Sequence, residues 1–239
     1  MPELNSSSSK EGSNQNHKKD ISKLSFNSFW DFWGPIILTI SVYAGIRHYL
    51  AEARYIPSGS MLPGLQINDR LIIEKLSFKN RSPLSGEIIV FRSPFSFDKE
   101  LIIRREKALP SSFQCSIITF PLVNAFLGLA DSACDAYIKR VVAVGGDKIK
   151  VDSQGVVTLN GKVLAEDYVE DFCPIVNRLS FCPEISTTVP FGHVVVLGDN
   201  RSNSWDSRFW PGGPFLSEKE IIGKAIWRFW PIGRLGSLR

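Results

Sequence analysis

One stretch of the sequence, from Phe32 to Ile46, carries no charged residue, and it constrains the chain more than any other feature. A helix of that stretch covers roughly 22 Å at about 1.5 Å per residue, whereas the hydrocarbon core of a bilayer is roughly 30 Å thick. Aromatic side chains near its start and Arg47 after it can lie in the two interfaces and add the missing length. We therefore predict a transmembrane anchor at residues 29–50.

Two other interpretations of the apolar stretch stay open. Ala51-Glu52-Ala53 has the form of an A-x-A cleavage pattern, so the stretch could belong to a signal peptide that is removed. It could also be an ordinary buried helix. The long polar segment that precedes the apolar residues is atypical of a signal peptide and favours the anchor.

The segment before the anchor, residues 1–28, is rich in Ser, Asn and Lys and poor in aliphatic side chains. It buries too little apolar surface to offset the entropy of ordering, so we predict a disordered tail. The basic residues nearest the uncharged stretch are Lys18, Lys19 and Lys23 before it and Arg47 and Arg54 after it. This bias favours a cytoplasmic N-terminus and a C-terminal domain on the exported side of the membrane.

From residue 51 to residue 239 the sequence consists largely of short β-branched runs bounded by Gly, Pro, Asn or Asp. This pattern is typical of a mostly antiparallel β domain. The runs are 71–73, 87–91, 101–103, 141–144, 156–159 and 194–197. Asn160-Gly161 lies between two such runs and predicts a hairpin turn.

Three segments depart from the pattern of short strands. Residues 105–137 have the composition of an insertion, and Pro and Gly break their apolar part, so we predict a surface loop rather than a second span. Residues 217–222 open with a capping-box pattern and predict a short helix. Near the end, Trp227, Phe229 and Trp230 either face a bilayer or form the core of a final strand.

The composition also excludes classes of function. The net charge is +4 and the basic residues are scattered without a nucleic-acid motif, so no nucleic-acid partner is expected. Four cysteines and three histidines without a CxxC pair predict no metal site, and we expect no cofactor. Cys173 and Cys182 each precede a proline. They form a disulfide if the domain lies in an oxidising compartment, or they are two buried thiols.

Three polar segments carry the candidate chemistry, and the first is Ser58-Gly59-Ser60. Pro57 and Pro63 lie on its two sides and restrict the backbone where a hydroxyl is presented. The segment follows the predicted anchor by only a few residues, which would hold that hydroxyl near the membrane. A Ser-Gly-Ser sequence alone is usually no more than a turn.

The second segment, Lys139-Arg140, leads directly into an apolar strand. Successive strand side chains point to opposite faces, so one of the two cations could face the interior. A buried lysine tends to lose its charge because desolvation disfavours the ammonium, and the neutral amine is a competent base toward serine. Two solvated cations at a strand end are the alternative.

The third segment runs from Gly198 to Arg208, directly after a strand. It holds more polar side chains than a connecting loop needs. They are Asp199, Asn200, Ser204, Asp206 and Arg208. A polar loop that is held by its own salt bridges is the alternative explanation.

Together these segments resemble the sequence boxes of type I signal peptidases, in the family's order and over about residues 30 to 230. The matching boxes are Ser58-Gly59-Ser60-Met61-Leu62-Pro63, Tyr137-Ile138-Lys139-Arg140-Val141 with Gly145-Gly146-Asp147, and Gly198-Asp199-Asn200-Arg201 with Asn203-Ser204 and Asp206-Ser207-Arg208. Gly86-Glu87 resembles a further strand box, in which Asp is usual at the second position.

The resemblance implies a mainly β fold of two antiparallel β-sheets, shared with LexA-like proteases, behind one N-terminal transmembrane helix. It implies a serine endopeptidase that removes signal peptides from precursor proteins at a lipid bilayer, on the periplasmic or thylakoid-lumen side. Ser60 would be the nucleophile and Lys139 its base. Ser58 and the Ser60 N–H would form the oxyanion hole, and Ser204 would hydrogen-bond Lys139. The residues that would hold the surroundings are Asp199, Arg140, Asp206 and Arg208.

Rival functions stay open from the sequence. A Ser-His-Asp hydrolase would need His193, because His17 lies in the tail and His48 at the membrane edge. A self-cleaving repressor-type protease would lack a span and usually carries a DNA-binding module. An anchored adaptor without catalysis would leave the third polar segment unexplained.

Overall fold

The structure is a computed structural model that describes residues 14–92, 136–173, 175–176, 179–180 and 182–238. The chain divides into two units, Met1–Arg47 and His48–Arg239. The described part of the first unit is helical, and the described part of the second is built mainly from strands. The predicted fold class, mainly β with two antiparallel sheets and one N-terminal apolar helix, is therefore confirmed.

The first unit contains helix α1 (Asn14–Gly45), which is followed by one π-helical turn at Ile46–Leu50. Within the described residues, one candidate membrane span is found, at Phe29–Leu50 with a mean hydropathy of 1.3. Its bounds are those of the predicted anchor, and the apolar stretch within it is not buried. Pro35 lies inside the helix, and Thr39 Oγ1 donates a hydrogen bond to the Pro35 carbonyl at 2.7 Å.

Helix α1 begins at Asn14, inside the segment that the sequence predicted to be disordered up to residue 28. Once an apolar segment forms a helix, adding a residue costs much less than starting a new helix, so a helix can propagate into polar flanks. The amino-acid composition of residues 1–28 does not indicate such a continuation. Residues 1–13 lie outside the described part of the chain.

Fourteen short strands and one short helix build the described part of the second unit. They are β1 (Ala51–Tyr55), β2 (Arg70–Glu74), α2 (Ser77–Asn80), β3 (Ile88–Arg92), β4 (Ala136–Val144), β5 (Lys148–Val151), β6 (Val157–Leu159), β7 (Lys162–Val163), β8 (Ile175–Val176), β9 (Leu179–Ser180), β10 (Ile185–Thr188), β11 (His193–Leu197), β12 (Leu216–Ser217), β13 (Ile221–Trp230) and β14 (Gly236–Ser237). Turns of 3-10 helix lie at Arg201–Asn203, Glu218–Glu220 and Ile232–Arg234.

The larger sheet has eight strands, in the order β1-β2-β13-β3-β4-β11-β12, with β14 paired to β13. The smaller sheet has four, in the order β10-β5-β6-β7, and β8 pairs with β9 as a separate hairpin. All of these pairings are antiparallel. The predicted Asn160-Gly161 turn joins β6 to β7, and both residues have the positive φ that such turns require.

Alternation along the strands divides the core into clusters on the two faces of the larger sheet. In β11, Val195 and Leu197 pack in a cluster with residues of the smaller sheet, whereas Val194 and Val196 belong to a different cluster. Similarly, β3 gives Ile88 to one cluster and the next residue to another. The apolar runs of the sequence therefore belong to strands that are buried on both faces.

The strand β1 contains the A-x-A pattern that suggested a cleaved signal peptide. All of its residues pair with β2, from Ala51 opposite Glu74 to Tyr55 opposite Arg70. A cut after Ala53 would divide this strand and remove part of the larger sheet. The geometry of β1 therefore favours an uncut chain.

The helix predicted at 217–222 was wrong. That segment is only a 3-10 turn at Glu218–Glu220, because Ile221 already begins β13. The last two residues of the insertion predicted at about 105–137 belong to β4, which begins at Ala136. The rest of the insertion and the predicted strand at 101–103 lie outside the described residues.

Candidate active site

Ser60 lies on a tight turn between β1 and β2 whose neighbours are anchored in the core. Met61 and Leu65 are fully buried, and Leu65 donates its N–H to the Met61 carbonyl at 2.8 Å. Leu62 likewise donates its N–H to the Gly59 carbonyl at 3.2 Å. The turn is therefore held from inside the domain, and its serine hydroxyl is positioned by buried neighbours rather than by solvent-exposed chain.

The Ser60 hydroxyl contacts Lys139, which lies near the middle of β4. Lys139 Nζ is hydrogen-bonded to Ser60 Oγ at 2.7 Å and donates to the Ile138 carbonyl at 3.1 Å. Lys139 is 5% exposed and Ser60 is 8% exposed. The structure thus brings together the two residues that the sequence singled out, and it excludes the alternative of a solvated lysine at a strand end.

Burial lowers the pKa of Lys139 from 10.5 to about 8. The carboxylates of Asp206 and Asp199 act in the opposite direction and raise this pKa, while the Arg208 guanidinium lowers it. Desolvation is the largest of these effects. Near pH 8 a large fraction of Lys139 is therefore the neutral amine, which can accept a proton.

Ser204 does not make the hydrogen bond to Lys139 that the sequence resemblance implied. Its Oγ is buried and has no hydrogen-bond partner among the described residues. The hydroxyl lies against Gly198 instead, because a Cβ built at Gly198 would be 2.2 Å from Ser204 Oγ. The expected contact is thus absent here, although the structure leaves a buried and unsatisfied hydroxyl beside the serine turn.

Gly198 makes the close approach between the third polar segment and the serine turn possible. A Cβ at this position would also lie 2.5 Å from the Ser60 carbonyl oxygen, so a larger residue would force the two segments apart. Asn200 then joins them, since its N–H donates to the Ser60 carbonyl at 3.2 Å and its Nδ2 to the Gly59 carbonyl at 3.4 Å.

The role of Asn200 at the serine turn was missed by the sequence reasoning. Its position inside the polar segment was the available signal, but nothing in the sequence indicated which backbone it would bind. Its Oδ1 also accepts from Asn203 N–H at 3.1 Å, which caps the 3-10 turn. One side chain therefore fixes both the polar segment and the backbone of Ser60.

Arg140, the neighbour of Lys139, forms a buried ion pair with Asp199. Its Nε and Nη2 donate to the two carboxylate oxygens at 2.9 and 2.8 Å, and its Nη1 donates to the Gly86 carbonyl at 2.8 Å. The guanidinium also lies 3.9 Å from the ring centre of Tyr168. Burial raises the pKa of Asp199 above its ordinary value, while Arg140 acts to lower it.

Asp206 and Arg208 form a second ion pair, whose side chains are fully buried. Arg208 donates from Nε and Nη2 to the two Asp206 oxygens, each at 2.8 Å. The same carboxylate accepts the N–H of Gly198 at 3.0 Å, so it holds the strand end behind Ser60. Arg208 Nη1 lies 3.0 Å from the sulfur of Cys173.

Cys173 and Cys182 form a disulfide in the structure, which resolves the alternative that the sequence left open.

A buried network around Arg201 was not predicted from the sequence. Arg201 is 1% exposed and binds both the Gly155 carbonyl and the Glu166 carboxylate, and Glu166 accepts the Tyr168 hydroxyl at 2.7 Å. No sequence pattern linked Glu166 or Tyr168 to the polar segment.

A cleft of about 530 Å³ opens beside the Ser60 and Lys139 pair. Its lining residues are Arg54, Tyr55, Ile56, Pro57, Ser58, Ser60, Val90, Ala136, Tyr137, Ile138 and Lys139. Ser58 is exposed in this cleft, and within the described part of the chain the Ser60 N–H donates to no acceptor. A substrate carbonyl group in the cleft could thus reach the Ser60 hydroxyl, the Lys139 amine, the Ser58 hydroxyl and the Ser60 N–H.

His193 is not part of this constellation. It lies at the start of β11, where its Nδ1 is 3.2 Å from the Phe191 carbonyl and its ring packs near Phe215. The residue that contacts the Ser60 hydroxyl is Lys139. Among the described residues, no group of three His, Cys, Asp or Glu side chains is arranged to hold a metal ion.

Comparison with known proteins agrees with this geometry. Residues 30–230 match the family model for signal peptidase, peptidase S26. The chain belongs to the signal peptidase family. It is 36% identical over 217 residues to probable signal peptidase I-2 of a Synechocystis strain, covering 89% of this chain and 78% of the relative.

Two further relatives of this signal peptidase family member extend the comparison. Signal peptidase I of Leptolyngbya laminosa is 37% identical over 201 residues, covering 84% of this chain and 79% of that protein. Probable thylakoidal processing peptidase 2 of Arabidopsis thaliana is 33% identical over 199 residues, covering 83% of this chain and 43% of that protein. The matched family consists of serine peptidases, in agreement with the candidate serine.

The lowered pKa of Lys139 predicts the pH dependence of this peptidase. If the neutral amine is the active form, kcat/KM rises with pH through an apparent pKa of about 8 and then levels off. An unperturbed lysine would place the rise near its ordinary pKa of 10.5. The measurement is kcat/KM for a precursor peptide from about pH 6 to about pH 11. A rise centred near pH 10 would contradict the prediction.

The Arg140–Asp199 pair predicts a large loss of stability when one partner is neutralised. In Asp199→Asn the Arg140 charge stays buried without its carboxylate, so the free energy of unfolding should fall by about 3 kcal/mol or more. Asp167 is exposed, so Asp167→Asn makes the same chemical change with an expected effect within about 0.5 kcal/mol. Denaturant unfolding compares the two variants, and equal losses would refute the assignment.

Proposed function

We propose that this chain is a membrane-bound serine endopeptidase that removes N-terminal signal peptides from exported precursor proteins, with Ser60 as nucleophile and Lys139 as general base. The observation that carries the proposal is the 2.7 Å hydrogen bond between Lys139 Nζ and Ser60 Oγ, in a buried site that borders a cleft. Membership of the signal peptidase family supports the same assignment.

The acylation step begins with the neutral amine of Lys139. The amine takes the proton of Ser60 Oγ as the oxygen attacks the carbonyl carbon of the scissile peptide bond. The resulting lysinium then gives a proton to the nitrogen of the leaving peptide as the C–N bond breaks. The neutral amine next deprotonates a water molecule, which attacks the acyl carbon. The ester bond to Ser60 Oγ then breaks, and the lysinium returns its proton to that oxygen as the second product leaves.

The carbonyl oxygen gains negative charge in both attacks. The backbone N–H of Ser60 and the hydroxyl of Ser58 are proposed as its hydrogen-bond donors. The N–H has no other acceptor within the described residues, and Ser58 is exposed on the wall of the same cleft. Both donors belong to one tight turn, so they would need little rearrangement when the charge develops.

The residues behind the pair are proposed to hold it in place rather than to react. Asp206 and Arg208 fix the Gly198 backbone, and Asp199 with Arg140 fixes the neighbouring strand. Ser204 keeps an unsatisfied buried hydroxyl beside the Ser60 turn. Its hydroxyl is proposed to accept a hydrogen bond when Lys139 becomes charged during the reaction.

The substrate is proposed to bind as an extended chain along β4. In the larger sheet β11 pairs with β4 from Arg140 to Val144, whereas Ala136 to Lys139 line the cleft. The lining side chains of Ile56, Val90 and Ile138 are apolar. Small or apolar residues before the scissile bond suit such a surface, as the family resemblance implies.

The membrane topology is part of the proposal. The span at Phe29–Leu50 would anchor the chain, with the N-terminus in the cytoplasm and the second unit on the periplasmic or thylakoid-lumen side. Trp227 and Trp230 are 43% and 46% exposed, so they are not the strand core that was one alternative from the sequence. These two indoles could contact the bilayer surface, where tryptophan is favoured.

Removing either member of the pair should abolish peptidase activity. We expect Ser60→Ala and Lys139→Ala each to lower kcat/KM on a signal-peptide-bearing precursor by about ten-thousand-fold or more, because the nucleophile or its base is missing. Gel analysis of precursor cleavage by protein purified from membranes measures this. Circular dichroism checks that both variants remain folded.

His193→Ala is the matched control for the rival Ser-His hydrolase. Its activity should stay close to that of the unmodified protein, since His193 contacts the Phe191 carbonyl and not the Ser60 hydroxyl. Full activity in Lys139→Ala would exclude the Ser/Lys mechanism. Loss of activity in a folded His193→Ala variant would favour the rival.

The anchor predicts the mass of the mature protein. Since a cut after Ala53 would divide β1, protein extracted from membranes should keep its N-terminal residues and have the mass of the uncut chain. Intact-mass spectrometry of membrane-purified protein measures this directly. A mass that corresponds to a chain beginning at Arg54 would show that the apolar segment is a removed signal peptide.

A further inference from the structure

The cleft beside Ser60 contains a guanidinium group that the proposed mechanism does not use. Arg54 lies in β1 and lines the cleft together with its neighbours Tyr55 and Ile56. Other lining residues of the cleft, such as Val90 and Ile138, are apolar. A permanent positive charge in this position has no role in proton transfer by Ser60 and Lys139.

Most hydrogen-bond donors of Arg54 are available to a ligand. Within the described part of the chain, its hydrogen bond is made by Nε, which donates to Glu52 Oε1 at 2.5 Å. The N–H groups on Nη1 and Nη2 donate to no described residue. By contrast, Arg140 and Arg208 each use Nε and Nη2 on a buried carboxylate. The planar fork of a guanidinium matches a carboxylate group.

The neighbours of Arg54 hold it in place and leave a net positive charge. Glu52 accepts from Arg54 and also lies 2.7 Å from Lys75 Nζ, so two cations share one carboxylate. The Glu52 side chain is 8% exposed, whereas that of Arg54 is 30% exposed. The Glu52 carboxylate is therefore shielded, and the Arg54 guanidinium is the member of the cluster that a ligand in the cleft would contact.

We propose that Arg54 determines specificity by binding an acidic side chain of the precursor close to the scissile bond and by disfavouring lysine or arginine at the same position. This inference rests on the proposed peptidase function and adds a charge preference to it. The cluster of Glu52, Arg54 and Lys75 is preorganised, so little ordering of the guanidinium is needed when a substrate carboxylate binds.

The length of the cleft limits where this preference applies. Its β4 wall runs from Ala136 to Lys139, which is about 10 Å for an extended strand. An extended substrate along this wall therefore places about three residues in the cleft. The charge preference is confined to one or two substrate positions near the scissile bond and does not extend over the whole precursor.

The test is a charge scan of a precursor that the unmodified protein cleaves. Each of about four residues on either side of the scissile bond is changed in turn to Asp, Asn or Lys, which covers more than the length of the cleft. The full-length protein in detergent is used, as the unmodified form and as Arg54→Gln and Arg54→Glu. The readout is the ratio of kcat/KM for the Asp precursor to that for the Lys precursor at each position.

The unmodified protein should prefer Asp over Lys by about tenfold or more at one or two positions, because a partly exposed ion pair in a cleft has this order of effect. Arg54→Gln should bring that ratio close to unity, and Arg54→Glu should invert it. Lys162→Glu is the matched control, since Lys162 is exposed on β7 in the smaller sheet and lines no part of the cleft. Its ratios should equal those of the unmodified protein.

Three results would overturn the inference. In the first, the ratios in the Arg54 variants match those of the unmodified protein at every position. In the second, Arg54→Gln lowers cleavage of the Asp, Asn and Lys precursors alike, which indicates a contact with the substrate backbone or a structural role. In the third, Lys162→Glu reproduces the effect, which indicates a general influence of net charge.

Failure of the peptidase function itself gives a different result. If the unmodified protein and Ser60→Ala both leave every precursor uncleaved, the proposed function and the charge preference fall together. If the unmodified protein cleaves and Ser60→Ala does not, the proposed function stands whatever the Arg54 ratios show. The two failures are therefore distinguished within one set of reactions.

Discussion

The burial of Lys139 against the Ser60 hydroxyl is the interaction on which the rest of the site depends. An exposed lysine would be charged at neutral pH and could not accept a proton. Here the middle of β4 buries the amine, which lowers its pKa to about 8. The same burial carries a cost, since a charged amine in this position is poorly solvated. The surrounding residues therefore have to keep Lys139 buried without forming a direct ion pair that would hold the lysine in its charged form.

The surrounding charges meet this requirement by pairing with each other. Asp199 binds Arg140 and Asp206 binds Arg208, so each carboxylate is engaged by a guanidinium rather than by Lys139. Their effect on the lysine acts through space and is smaller than that of desolvation. A carboxylate in direct contact with Nζ would hold the lysine in its charged form. The buried ion pairs therefore keep the polar segment in place and also leave the amine able to lose its proton.

Much of this arrangement could be predicted from the sequence, and the limits have physical reasons. Strands that are buried on both faces leave continuous apolar runs, so β3, β4 and β11 were visible. By contrast, β1 and β13 were missed in whole or in part, because their polar residues are half-exposed and mask the alternation. Ser60 and Lys139 were found because they belong to family motifs. Asn200 and Glu166 act on backbone and side chains that are distant in sequence, and no single-sequence pattern carries such contacts.

Along the chain, β1 lies between the candidate span and the turn that carries Ser60. Its first residue directly follows Leu50, the last residue of the candidate span, and the Leu50 carbonyl accepts the N–H of Lys75 at 2.9 Å. Leu50, the residue before β1, is therefore hydrogen-bonded to the residue that follows β2. Arg54 follows Leu50 by four residues, which is about 13 Å of extended chain. In the proposed function, this short separation along the chain between the candidate span and the cleft residue Arg54 agrees with a substrate that is itself held at a membrane.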